Sequence, residues 1–434
     1  MSESPSGLDS ARSYAFHPLQ TFRARATFRS MRHFVIALLG AALLVGAPSP
    51  TAARARALAL AHANVLDGVS AKPRRNVTLL IEAGRIRSIL PSGSRLPNHV
   101  RVIDLNGAWV LPGLIDAHVH LRDEESAKRA LRAGVTTARS LGVDHFIDVR
   151  MARQHAAGAN ELPEVIGAGY HVRPKLADAF FADFPRLVHL KAGLTDADAA
   201  REAVRANASS GVAWIKVMAT QRAGTADTDF RLRALGDDQL SAATAEAKRR
   251  GLPVAAHAHT DQGVRAAVLA GVRTVEHGTA ISPTTLRLMR SRRVCLVPTL
   301  SFWADMAAPG GEYDHPTLAA RARHMFPIAR RTVRRAGRAH VTIIAGSDMR
   351  YDSTSPLGIA DELILMRQSG LDAHQALRAA TSFAAACLGV GDRTGSIRPG
   401  MEADLVVVGG DPTKNLSVLK RPYMVINDGA LVRP

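Results

Sequence analysis

Hydrophobic and polar positions divide the chain into two strand-like ends around a middle of a different rhythm. Over residues 58–109 the apolar positions alternate in short runs, at 58–65, 77–81, 86–89 and 100–103, with a Gly-centred turn at Gly84. Successive side chains on a strand leave opposite faces, so this period of two predicts a small antiparallel sheet. The far end repeats the style at 403–408 and 424–432. Two strand-rich ends predict one β-sandwich assembled from both termini.

Between them, short apolar runs at 112–121, 135–140, 164–168, 212–217, 253–257, 274–277, 294–299 and 341–347 alternate with stretches of helical period at 125–133, 144–156, 196–209, 238–250, 261–270, 283–292 and 317–336. Two further helices are predicted at 357–369 and 373–388. Eight strands, each followed by a helix, predict an α/β fold of the (β/α)8 type, a TIM barrel. The expected division is 1–57 as an N-terminal extension and signal peptide, 58–110 and 394–434 as the two parts of the β-sandwich, and 111–393 as the barrel.

Composition changes the picture at one end only. Met31-Arg32-His33 opens a short apolar run that ends at Ala47 and is followed by Pro48-Ser49-Pro50 and small residues up to Ala57. This is a secretory signal pattern, too short to span a bilayer of roughly 20 residues, with Ala53-x-Ala55 or Ala55-x-Ala57 as the cleavage triplet. Met31 makes a sensible start of its own. The expected location is secreted or periplasmic.

Cys295 and Cys387 are the only cysteines, which is no disulfide framework, and both lie in apolar runs that predict inert core thiols. The formal charge is +18, carried mostly by arginines that the linear sequence scatters over its whole length. With no helix-turn-helix, finger or stacking motif, nucleic acid is not an expected partner, nor is a membrane beyond export.

The candidate chemistry sits at strand ends. His118 and His120 are spaced i and i+2 on an apolar strand, which points two imidazoles at one spot. Lys216 ends the fourth predicted strand, His257 the fifth and His277 the sixth, and Asp348 directly follows the eighth. Barrel enzymes build their sites at that face, so these six groups converge on one mouth. Histidine nitrogens and carboxylate oxygens suit zinc or a similar divalent ion, and a site without cysteine ligands is a catalytic rather than a structural centre. Neither a Gly-x-Ser-x-Gly elbow nor a P-loop is present.

Together these motifs resemble the amidohydrolase superfamily over most of the chain. The resemblance is carried by Pro112-Gly113-Leu114-Ile115-Asp116-Ala117-His118-Val119-His120, by 133–139, Ile215-Lys216, Ala256-His257-Ala258-His259, Val275-Glu276-His277-Gly278, Gly346-Ser347-Asp348, 376–381 and 395–405. Within the superfamily the chain looks most like the metal-dependent dipeptidase branch, of Xaa-Pro dipeptidase or prolidase type, related to imidazolonepropionase.

That resemblance implies two divalent ions, zinc being the expected metal. His118, His120 and Asp348 would hold one, His257 and His277 the other, with a carboxylated Lys216 between them and Asp348 as the group that takes a proton from water. Deaminase members carry a glutamate shortly after the fifth-strand histidine. Here His257 is followed by Ala258-His259-Thr260-Asp261, which favours amide or peptide hydrolysis by metal-activated hydroxide.

The expected substrate is a dipeptide or N-acyl amino acid with a free carboxylate, as for a dipeptidase or carboxypeptidase-like amidase. Candidate substrate residues are His171, Tyr170, His259, Arg222 and Arg350, with Arg173 and Tyr351 as further mouth residues. Rival readings are hydrolysis of a cyclic amide, lactone or phosphoester by the same site, and a non-catalytic envelope binding protein. A homo-oligomer is compatible with the sequence.

Overall fold

The computed structural model describes residues 57–432. The expected signal peptide, with its start and cleavage site, lies outside the described residues.

The N-terminal strands are β1 (Leu58–Val65), β2 (Arg74–Glu82), β3 (Arg85–Pro91), β4 (Arg101–Asp104) and β5 (Trp109–Pro112). The middle supplies β6 (Leu114–Val119), β7 (Val135–Ser140), β8 (Glu164–Gly167), β9 (Ile215–Met218), β10 (Val254–Ala258), β11 (Thr274–His277) and β12 (Cys295–Val297). The C-terminal part adds β13 (Leu405–Val408), β14 (Met424–Asn427) and β15 (Ala430–Val432).

Both ends of the chain meet in one sheet of order β15-β14-β13-β5-β1-β2-β3, with β4 paired to β1. The seam between the ends is the antiparallel pair β5–β13, in register at Val110↔Val407 and Leu111↔Val406. Ile86 at the opposite edge exchanges backbone hydrogen bonds with Met401 and Gly400, at 2.9 and 2.8 Å. The expected sandwich is thus a single hydrogen-bonded sheet closed over one apolar core that includes Leu60, Leu79, Ile81, Val110, Leu405 and Ile426.

The middle forms two parallel sheets, β6-β7-β8 and β9-β10-β11-β12. Isolated bridges join their edges. Val172↔Val217 links the segment after β8 to β9, while Leu296↔Ile343 and Val119↔Met349 place residues 343–349 between β12 and β6. An apolar cluster of Ile115, Ala117, Ile166, Trp214, Ala255, Val297 and Ile344 draws on both sheets. A larger cluster lies between the strands and the helices that connect them. Strands covered on both faces read as continuous apolar runs, which is why the charged residues inside them are conspicuous.

Three expectations are corrected here. Residues 341–347 are not a regular strand, because Gly346 passes tight against His118 and Asp348 takes a left-handed φ of 60°, which interrupts the ladder. The helix expected over 373–388 is two, Ala373–Ala379 and Ser382–Leu388. Between them the carbonyls of Ala379 and Ala380 are diverted to Ala345 N (2.8 Å) and Ile115 N (2.7 Å), so they cannot continue the helical ladder.

The third correction concerns the cysteines. Cys295, at the start of β12, and Cys387, in the helix Ser382–Leu388, form a disulfide across 92 residues. Two cysteines this far apart carry no pairing signal in sequence. The fold pairs them by laying the last helix across a strand end. Closing so long a loop restricts the unfolded chain, an effect of about 2–4 kcal/mol. Cys387→Ser, or reduction of the wild type, is therefore expected to lower the unfolding free energy by about 2–4 kcal/mol, read from a lower denaturant midpoint, and an unchanged midpoint would refute the stabilising role.

Candidate active site

The six residues expected to converge do so. His118, His120, Lys216, His257, His277 and Asp348 all line one cavity with about 340 Å³ of empty space. His118, His257 and His277 sit at or near the C-terminal ends of β6, β10 and β11 and His120 just past β6, while Lys216 is the second residue of β9 and Asp348 lies between the bridged residues Ile343 and Met349; several of these segments are bent. His277 at the end of β11, Thr299 after β12 and Asp348 next to the bridged residue Met349 all take left-handed backbone, with φ of 70°, 47° and 60°. Non-glycine residues hold such conformations only where their surroundings impose them. The turns aim the His277 ring at Thr299, whose Oγ1 lies 2.7 Å from Nδ1, and bring the amide of Asp348 to the carbonyl of His118 at 2.7 Å.

The groups fall into two sets. In the first, His118, His120 and Asp348 each offer one ligand atom, all within 4.8 Å of one another; His257, His259 and His277 form the second on the same criterion. Asp348 Oδ1 is 3.0 Å from His120 Nε2 and 3.4 Å from His118 Nε2. Lys216 Nζ lies 3.4 Å from the same His118 Nε2. Burial lowers the His118 ring to about 4, and burial first, then neighbouring histidines and Lys216, keeps His257 and His277 well below the usual imidazole range. Neutral imidazoles with buried lone pairs are what a divalent ion requires, so the donor set fits one at each group.

Lys216 is buried, and this lowers its amine to about 8 against the opposing pull of Glu276 and Asp348. Burial would raise Asp348, but His118, His120 and Lys216 outweigh it and hold the carboxyl well below its usual range.

Two carboxylates beneath the cavity orient these side chains. Glu276, fully buried on β11, accepts from Arg139 (2.9 Å) and lies 2.8 Å from His118 Nδ1. Arg139 is itself fully buried; it also donates to Ala117 O and Thr274 Oγ1 and stacks 4.4 Å over Trp214. Burial acts to raise Glu276, while Arg139 and His118 outweigh it and hold the carboxyl at about 2. Asp116 accepts from Ser347 N and Oγ, Tyr351 OH and His118 N. Burial nevertheless raises it to about 6.

The structure sorts the expected substrate residues. His171 and Arg222 line the cavity. His171 sits 6.0 Å from the His120 ring, in a space that exists because residue 142 is glycine: a Cβ there would meet the imidazole at 2.0 Å. The Arg222 guanidinium has no hydrogen bond or ion pair among the described residues. Tyr170 does not line the cavity. Adjacent to His171 at a bend after β8, it turns away from the cavity, donating to Asp183 Oδ2 at 2.6 Å and packing on Phe146 and Phe180.

His259 is likewise absent from the cavity wall. It stacks behind His277 at 4.6 Å with Nδ1 on Thr279, which makes it an orienting group. Arg350 is held back by Glu312 (3.4 Å), and Tyr351 turns inward to Asp116. Phe302, Tyr313 and Met218 complete the wall and had no signal in sequence. Asp116 had one, a charge inside the mainly apolar strand Leu114–Val119, whereas Arg139 and Glu276 lie in strands already rich in Thr, Ser or His.

Residues 109–432 match the amidohydrolase family. The chain belongs to the amidohydrolase family. It is 31% identical to an uncharacterized protein of Mycobacterium tuberculosis over 354 residues, 76% of this chain and 86% of the relative. Ochratoxinase of Aspergillus niger is 30% identical over 228 residues, 52% of this chain and 46% of the enzyme. The crystal structure of a Xaa-Pro dipeptidase with methionine in its active site superposes with a TM-score of 0.78 at 25% identity, covering 87% of this chain and all of that one. As an amidohydrolase the chain is an enzyme, a hydrolase acting on C–N bonds, which removes the binding-protein alternative.

Glu276 gives a direct test of how the family site is supported. Glu276→Gln leaves Arg139 buried without its counter-charge, an expected loss of about 3–5 kcal/mol. The double change Arg139→Met with Glu276→Leu should recover much of it. Because the folded carboxyl lies below its usual 4.5, its contribution is present above that pH and is lost as pH falls towards 2. A Glu276→Gln midpoint equal to wild type in urea would contradict this account.

Proposed function

We propose that the protein is an exported, binuclear metal-dependent hydrolase that cleaves the amide or peptide bond of a dipeptide or N-acyl amino acid bearing a free carboxylate. The observation that carries the reading is the gathering of His118, His120, Lys216, His257, His277 and Asp348 around one small cavity. We read the bridged parallel sheets as a closed (β/α)8 barrel over 111–393, with 58–110 and 394–434 as the satellite β-domain. The likeness to the Xaa-Pro dipeptidase structure supports the substrate class. The signal pattern and the Cys295–Cys387 disulfide support an oxidising, extracytoplasmic location.

His118, His120 and Asp348 would hold one ion, His257 and His277 the second, with Lys216 between them as a carbamate. A buried amine lowered to about 8 is uncharged often enough to take up carbon dioxide, and the product is an oxygen ligand in place of a cation. Bound divalent ions, zinc by the chemistry of the donors, supply Lewis acidity and bring the ionisation of water to near neutral pH. The chain's own residues do the rest. Asp348 takes the proton of the attacking water on a carboxylate oxygen and delivers it to the departing nitrogen. Glu276 holds His118 by Nδ1, leaving Nε2 for the cavity. Arg222, with His171 beside the first group, receives the substrate carboxylate.

Two expectations test this. Dialysis against a chelator should abolish turnover of Xaa-Pro, Xaa-Arg or N-acyl amino acid substrates, and zinc with bicarbonate should restore it in wild type but not in Lys216→Ala. Turnover of a lactone or phosphotriester with none of these amides would sink the peptidase reading in favour of its rival. Arg222→Leu is expected to raise KM at least about 10-fold for peptides with a free C-terminus while sparing kcat, and to leave C-terminally amidated peptides unaffected. Equal effects on both series would remove Arg222 from carboxylate recognition.

A further inference from the structure

Two neighbouring helices carry an unusual density of arginine. The helices Pro283–Arg292 and Pro316–Arg338 contain no aspartate or glutamate, yet with the cap residue Arg293 they carry eleven arginines. Arg321 and Arg330 are committed to backbone carbonyls of neighbouring loops. The other nine are exposed. Among the described residues none of the nine is in an ion pair, and their side-chain hydrogen bonds go to neutral groups such as Thr284, Ser369 and Thr332. Some arginines elsewhere are matched by acids: Arg205, Arg249 and Arg250 gather on Glu246, and Arg393 is held between Glu164 and Glu402.

The two helices are neighbours. They follow the paired parallel strands β11 and β12, and Thr332 on the second donates to Thr279 O just before the first, at 2.8 Å. On the longer helix Arg323, Arg331, Arg334, Arg335 and Arg338 recur at spacings that keep them on one side, a stripe about 22 Å long. Arg287, Arg290, Arg292 and Arg293 lie on the shorter helix beside it. Both helices run back toward strand starts, so the charge is densest at the end away from the cavity. The groove at that end is rimmed by Lys248, Arg273, Arg292 and Arg293.

Like charges four apart, such as Arg331 with Arg335 and Arg334 with Arg338, oppose one another within the helix. One or two basic residues would satisfy the helix C-terminus, and the excess has no acidic counterpart among the described residues. Guanidinium forks match phosphate oxygens in pairs. The two helices expose no phenylalanine, tyrosine or tryptophan on which nucleic acid bases would stack, and the export proposed above leads away from nucleic acid. We propose that this face docks the protein on an anionic phospholipid surface, with the cavity mouth turned away toward solvent. This revises the expectation of no membrane contact beyond export.

The test is co-sedimentation of the full chain with vesicles of equal phosphatidylglycerol and phosphatidylcholine, beside vesicles of phosphatidylcholine alone. The variant R331Q/R334Q/R335Q/R338Q is compared with R74Q/R87Q/R95Q/R101Q, which removes equal charge from the β-domain. The helix variant should bind the anionic vesicles at least about 100-fold more weakly, at roughly five-fold per arginine, with the control near wild type. Binding should fall as salt rises. Amide exchange of the wild-type protein asks the same question without substitution, and should slow on the two helices when anionic vesicles are added. Equal weakening in both variants, no preference for anionic vesicles, unchanged exchange on these helices, or tighter binding to a DNA duplex at the same ionic strength would overturn the proposal.

Discussion

The buried contact between Glu276, Arg139 and His118 is the constraint on which the site depends. Two fully buried opposite charges are costly unless each is matched, and here one carboxylate answers both the guanidinium and the imidazole Nδ1. The consequence reaches upward. With Nδ1 engaged below, His118 turns Nε2 to the cavity, where Asp348 and Lys216 approach the same atom. Arg139 ties the arrangement to β6 through Ala117 O, so strands of both parallel sheets are held at one level.

Around that anchor the backbone is bent rather than the side chains stretched. Left-handed turns at His277, Thr299 and Asp348 end three successive chain segments at the cavity. Gly346 lets the last of them pass against His118, and Gly142 leaves room for His171. Regular strands would have carried these side chains past the cavity or into the helical layer. Strain of this kind persists because the surrounding core is close-packed and the turns are held by hydrogen bonds such as Asp348 N to His118 O.

The remainder of the molecule serves the same arrangement from outside. The β5–β13 seam joins the two ends of the chain directly before the first parallel strand, so β6 enters the middle from a fixed edge. On the far side the Cys295–Cys387 disulfide ties the last helix to the start of β12. The chemistry faces one end of the parallel strands, and the unpaired arginines of two helices are densest at the other.

Sequence alone determined the order of elements and the residues that can bear chemistry. The period of two at both ends, the alternation between them, and six donor residues at strand ends are all local patterns, set by the backbone's own geometry. The charge of Asp116 within the mainly apolar strand Leu114–Val119 was an equally local signal, while the network of Arg139 and Glu276 was not readable from their half-polar strands. Tertiary structure decided what depends on distance. It paired the two cysteines across 92 residues and turned Tyr170 away from the cavity while admitting His171. It set His259 behind His277 and laid two arginine-rich helices beside each other. The physical reason is that a side chain's partner is fixed by where other segments pack, and packing is a property of the whole core that no local period encodes.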